Sequence, residues 1–112
     1  MEATHLVTHD HVEGYEGVEI VYSRNWMSEN AYHNGEFHKA LEVKKALKYT
    51  DWICDQEKMK LTNNGLFSHP MPVDRGYEVT DEVASGSRSI IIDVAENRLH
   101  VQKAIMALTM GE

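Results

Sequence analysis

Short apolar runs alternate with polar stretches of helical spacing along the chain. Val18–Ser23, "VEIVYS", is β-branched and aromatic over a strand's length. The following "RNWMSENAYHNGE" has no clear period and reads as a long loop. From Phe37 to Tyr49, Leu41, Lys44, Lys45 and Lys48 fall at helical spacing. "WIC" then reads as a short strand, and "DQEKMKLTNNG" as a short helix capped by Asp55 and stopped at Asn64-Gly65. "LFS", Leu66–Ser68, is a compact apolar strand, and "TDEVASG" a one-turn helix between the cap Thr80 and the terminator Gly86. "SIIID", Ser89–Asp93, carries three consecutive isoleucines, the pattern of a strand covered on both faces. A last helix is expected over Ala95–Met110, with Val101, Ala104, Ile105 and Leu108 as an apolar stripe.

Strands alternating with helices predict an α/β fold with a mainly parallel sheet flanked by helices. The strands are few and short, and the N-terminal "MEATHLVTHDHVEGYEG" reads as the end of a helix whose preceding strand is not there. The pattern therefore predicts a single partial domain.

Charge and composition narrow the function classes. A formal net charge of -7 disfavours a phosphate-backbone binder, so no nucleic-acid partner is expected. Lys39, Lys44, Lys45 and Lys48 read as the solvated face of one helix. The single cysteine, Cys54, excludes an internal disulfide and a cysteine-rich zinc site, and its place is the core. No run approaches the ~20 apolar residues of a membrane span, so no membrane partner is expected and a cytoplasmic location is the default. His5, His9 and His11 lack a zinc motif and read as a solvated helix end, and neither a metal nor a cofactor is expected.

In open α/β sheets ligands bind beyond the carboxyl ends of the strands. Three segments qualify: "SRNWMSEN", "HPMPVDRG" and "DVAENR". In the third, Asp93 and Glu96 have capping-box spacing, which puts Arg98 near the first turn of the last helix. There its guanidinium either meets a carbonyl or phosphate oxygen, or pairs with Glu96 or Asp93. In the second, Pro70 and Pro72 remove two backbone donors and stiffen His69–Pro72, and the Met71-Pro72 bond is open to the cis form. The segment is either a rigid connector or a set of carbonyls aimed at a ligand's amino group. Asp74 and Glu78 read as loop carboxylates satisfied by solvent or an arginine.

The run "HPMPVDRGYEVTDEVASGSRSIIIDVAENRLHVQKAIMAL" resembles the C-terminal part of the amino-acid carbamoyltransferases, in which H-C-L-P precedes E-V-T-D-E-V and A-E-N-R-L-H-x-Q-K-A. "EKMKLTNNGLFSH" is most similar to the N-acetylornithine branch, whose members have a knotted second domain. The resemblance implies the C-terminal portion of an amino-acid-binding domain that moves a carbamoyl group from carbamoyl phosphate to the amine of ornithine or an N-acylornithine, in arginine biosynthesis. It implies Pro70, Met71 and Arg98 as catalytic positions: carbonyls at Pro70 and Met71, a carbamoyl-phosphate contact at Arg98, and a cis Met71-Pro72 bond. Trp26 and Ser28 match the substrate loop, and His69, Pro72, Arg75 and Glu78 complete the implied substrate-binding set. Pro70 departs from the family cysteine, as in the aspartate enzymes. Asp74 stands where the acetylornithine branch has an arginine for the substrate carboxylate, a role open to Arg75, and Glu78 where that branch can have a carboxylated lysine.

The S-x-R-T and H-P-x-Q motifs of the family's carbamoyl-phosphate domain do not occur in these residues. A fragment without turnover is the expectation, with a homotrimer for the full-length protein. The alternative is a non-catalytic amino-acid-binding remnant or regulatory module.

Overall fold

The computed structural model describes residues 5–26, 32–33 and 36–111. Its centre is the pairing of β1 (Ile20–Tyr22) with β4 (Leu66–Ser68), parallel and in the register Ile20↔Leu66, Val21↔Phe67 and Tyr22↔Ser68. On the other side of β4, the Phe67 N–H donates to Arg88 O at 2.8 Å and its carbonyl accepts the Ile90 N–H at 2.9 Å. Phe67 is thus hydrogen-bonded at both backbone groups, and its side chain is 0 % exposed. Cys54, Met59, Val79, Val83, Ala84 and Ile91 pack with it as the core. Burial pushes the Cys54 thiol up, so it is an inert packing group.

The helices form where the caps place them. In α2 (Gln56–Lys60), Asp55 Oδ1 accepts the Lys58 N–H at 2.9 Å and Oδ2 pairs with Lys58 Nζ at 3.1 Å. In α3 (Asp81–Ala84), Thr80 Oγ1 accepts the Val83 N–H at a longer 3.4 Å. Gly86 closes that turn so tightly that a Cβ would stand 2.8 Å from Glu82 O. The first helix, α1 (Lys39–Ala46), is shorter than its spacing predicts, and its lysines are exposed as expected.

Several sequence expectations are corrected. The isoleucine run is not a strand: Ser89 makes one isolated parallel bridge to Phe67, and Ile91 already begins α4 (Ile91–Met110). Ile91 is buried while Ile92 is 71 % exposed, because a helix turns neighbours to different faces whereas a doubly covered strand would bury both. Asp93 accordingly lies in the first turn of α4, and Ile90 holds the cap position. "WIC" is a 3-10 turn (Thr50–Trp52) followed by an isolated bridge from Cys54 to Val79. Within the predicted loop, β2 (Tyr32–His33) and β3 (Glu36–Phe37) pair antiparallel.

Before β1 there is a 3-10 turn (Glu13–Tyr15) and no α-helix among the described residues. Asp10 Oδ1 accepts the N–H groups of Val12 and Glu13, a side-chain turn that competes with helix propagation. His5 and His9 are exposed there, and His11 lies against Trp52 with ring centroids 5.4 Å apart.

Only the first turn of α4 is packed. Val101, Ile105 and Leu108 of the apolar stripe are all exposed. No helix of the described residues is long and apolar enough to cross a membrane.

Phe67→Ala should cost about 3–5 kcal/mol, and Leu66→Ala, its half-exposed neighbour, about 1 kcal/mol or less, read as the shift of the urea midpoint. Asp55→Ala should cost about 1 kcal/mol and Thr80→Ala about half of that, since the shorter cap bond is also charge-assisted.

Candidate functional site

Both strands of the parallel pair end at one place. Beyond Tyr22 and Ser68 a cleft of about 870 Å³ opens between the end of β1, the Pro70–Pro72 segment and the first turns of α4. Pro70, Met71, Pro72 and Arg98 meet there, and the Met71-Pro72 bond is cis. Arg24, which follows β1, lines the same cleft. The strand-end rule picks out its segment, although sequence reasoning did not single out Arg24 itself. Among the described residues neither Arg24 nor Arg98 is paired with a carboxylate, so two guanidiniums face one cleft in a chain of net charge -7. Such a cleft concentrates anions.

The floor of the cleft is held from beneath. His69 is 1 % exposed, and its Nδ1 accepts the Met71 N–H at 3.0 Å. Its Nε2 faces Glu78 Oε1 at 3.2 Å, off the line of a directed hydrogen bond and therefore a polar contact. The same Glu78 oxygen accepts the Asp74 N–H at 2.6 Å. Glu78 is 3 % exposed, not the solvated loop carboxylate its position in the sequence suggests, and its Oε2 is buried with no hydrogen-bond partner among the described residues. Burial pushes the His69 pKa down and the Glu78 pKa up, so each leans toward its neutral form.

Met71 itself has φ 60°, in the left-handed region that a non-glycine residue rarely occupies. Gly76, at φ 86°, makes the turn that brings Arg75 and Val79 back into a bridge and returns Glu78 beneath His69.

The remaining site residues fall elsewhere. Trp26 and Glu78 line a second cavity of about 390 Å³, which adjoins the cleft at Tyr22 and Arg24. Trp26 stacks on Tyr49 at 5.3 Å and donates from Nε1 to Tyr77 O at 3.4 Å, which fixes its ring. Arg75 turns away toward α3, where it donates to Asp81 Oδ1 at 2.8 Å and Ser85 Oγ at 2.6 Å. Asp74 is paired with Lys39 Nζ of α1 at 2.7 Å, a partner the sequence did not suggest; this bond, with the nearby Glu42, pushes the Lys39 pKa up. Ser28 lies outside the described residues. No three His, Cys, Asp or Glu side chains gather into a metal-binding group among the described residues.

Residues 1–109 match the model of the family described as aspartate/ornithine carbamoyltransferase, Asp/Orn binding domain. An N-acetylornithine carbamoyltransferase of Xanthomonas campestris pv. campestris is 43% identical over 106 residues, which cover 95% of this chain and 30% of that protein. A crystal structure of acetylornithine transcarbamylase complexed with acetylcitrulline is 42% identical, with a TM-score of 0.74 over 93% of this chain and 30% of the other. A crystal structure of a mutant N-acetyl-L-ornithine transcarbamylase, complexed with carbamyl phosphate and N-succinyl-L-norvaline, is 43% identical with a TM-score of 0.71, over 89% of this chain and 29% of the other. The chain thus spans about 30% of the length of the relatives it matches. With its parallel strand pair and a cleft at the strand ends, it belongs to the Asp/Orn-binding domain family of the aspartate/ornithine carbamoyltransferases.

Proposed function

We propose that the cleft receives the acceptor amine of a carbamoyl transfer from carbamoyl phosphate, with ornithine or an N-acylornithine as acceptor, in arginine biosynthesis. The observation that carries this reading is the meeting of Pro70, Met71, Pro72 and Arg98 at the ends of two parallel strands. The acceptor nitrogen forms a bond to the carbamoyl carbon, the carbon–oxygen bond to phosphate breaks, and the nitrogen sheds a proton. Negative charge grows on the carbonyl oxygen and on the departing phosphate, and Arg98 is the donor placed to meet it. The carbonyls of Pro70 and Met71, on a stiff segment, accept from the N–H groups of the amine and carbamoyl moieties and hold them in line. In this reading Pro72 lines the acceptor site, Trp26 and Glu78 line the cavity that adjoins it, His69 supports its floor from beneath, and Ser28 is a further substrate-loop contact, while Arg75 is held by α3. The acceptor's carboxylate is the part least provided for, since Arg75 is engaged by α3 and Lys39 by Asp74.

The reading assigns this chain the amino-acid half of the reaction. The carbamoyl-phosphate domain, the homotrimer and the cytoplasmic setting belong to the full-length protein, and the chain alone has no turnover. The exposed stripe Val101–Ile105–Leu108 supports this, as a surface suited to packing against further polypeptide.

Fused in register to the carbamoyl-phosphate-binding part of the Xanthomonas relative, the chain should yield a ureido product from carbamoyl phosphate and ornithine or an N-acylornithine. Failure with ornithine, its N-acyl derivatives and aspartate alike would sink the reading. In an active fusion, Arg98→Ala should lower kcat/KM by about 10²–10³-fold without moving the melting temperature.

A further inference from the structure

An L-residue at φ 60° relaxes unless its surroundings hold it, and such positions cluster where a backbone group has a task. Met71 is held by a hydrogen bond from its N–H to His69 Nδ1. That bond exists only while Nδ1 carries no proton. In a neutral imidazole the proton is then on Nε2, which faces Glu78 Oε1. The same oxygen takes the Asp74 N–H, so one buried carboxylate oxygen touches both ends of the segment from His69 to Asp74.

We propose that Glu78 is a positioning residue. By accepting the Asp74 N–H and presenting the same oxygen to the Nε2 side of His69, it closes the His69–Asp74 segment, fixes the Met71 peptide unit and aims the neighbouring carbonyls into the cleft. Its importance for an acceptor amine rests on the reading above, whereas the lock itself does not.

The direction of the pH response follows. Burial holds His69 below its ordinary 6.5, opposed by the Asp74 carboxylate and reinforced by Arg24. The unfolded chain therefore takes up the proton first. The lock contributes its full stability above 6.5 and loses it as the pH falls from there through the lowered folded value. Glu78 has the opposite sign. Burial raises it, Asp74 and Glu42 add to the rise, and the backbone N–H of Asp74 works against it. Its contribution is full below 4.5 and fades as the pH climbs through the raised folded value. Lys39, paired with Asp74, tempers the shared negative charge.

Nitrogen NMR of the unsubstituted chain should find His69 neutral near neutral pH, with its proton on Nε2. A protonated Nδ1 would overturn the proposal whatever any variant does. In Glu78→Ala the Met71 amide should exchange about tenfold faster or more, with the Phe67 and Ile90 amides within about twofold of the parent. Glu78→Gln keeps a carbonyl oxygen at the shared position and should restore Met71 to within about threefold. On acidification Met71 should lose protection before Phe67. An unchanged Met71 in Glu78→Ala, or an equal rise at all three amides, would refute the positioning role. A lock that passes beside a fusion without carbamoyl product counts against the acceptor reading alone, and a free Met71 amide in an active fusion against the lock alone.

Discussion

Phe67 is the fixed point of the molecule. Its backbone is hydrogen-bonded to the 88–90 segment, its strand is paired with β1, and its ring is wholly buried. Two residues later the chain enters the cleft as His69-Pro70-Met71-Pro72, and the segment bonded to it turns directly into α4, which carries Arg98. Both halves of the cleft are therefore anchored to one residue, and their separation is set by hydrogen bonds of ordinary length. A core defect at Phe67 would reach the site without touching any residue that lines it.

Charge is layered around that anchor. Two guanidiniums face the cleft, while beneath it Glu78 and His69 are buried almost completely and each leans toward neutrality. Burying either as an isolated ion would be costly, so a neutral, mutually facing pair is the less demanding way to hold a strained loop. Asp74 pairs with Lys39 at the edge, where solvent still screens the pair. The partner of Asp74 thus comes from α1, a helix distant in sequence.

The legible parts of the sequence were those governed by local chemistry. Asp55 and Thr80 cap as their spacing indicates, Leu66–Ser68 is a strand, and the two prolines mark a stiff segment that reaches the cleft. The isoleucine run misled because a short apolar run has no period to separate strand from helix, and only Ile91 of the three is fully buried. The β2–β3 hairpin does have a signal in the sequence: Asn34-Gly35 lies between its strands, the dipeptide favoured in two-residue hairpin turns. Glu78 could not be read as buried, nor Lys39 as the partner of Asp74. Both facts depend on how the chain returns through Gly76 and on where α1 comes to rest.

The long last helix has a mechanical side. It is clamped at Ile91 and exposed along most of its length, which makes it a lever with its fulcrum beside the core. Arg98 sits about 10 Å along that lever, so a tilt of about 10° would carry its backbone by about 2 Å. A displacement of that size decides whether a guanidinium reaches an oxygen in the cleft. The part of α4 beyond Val101, which lines none of the cleft, thereby holds the longer arm over Arg98.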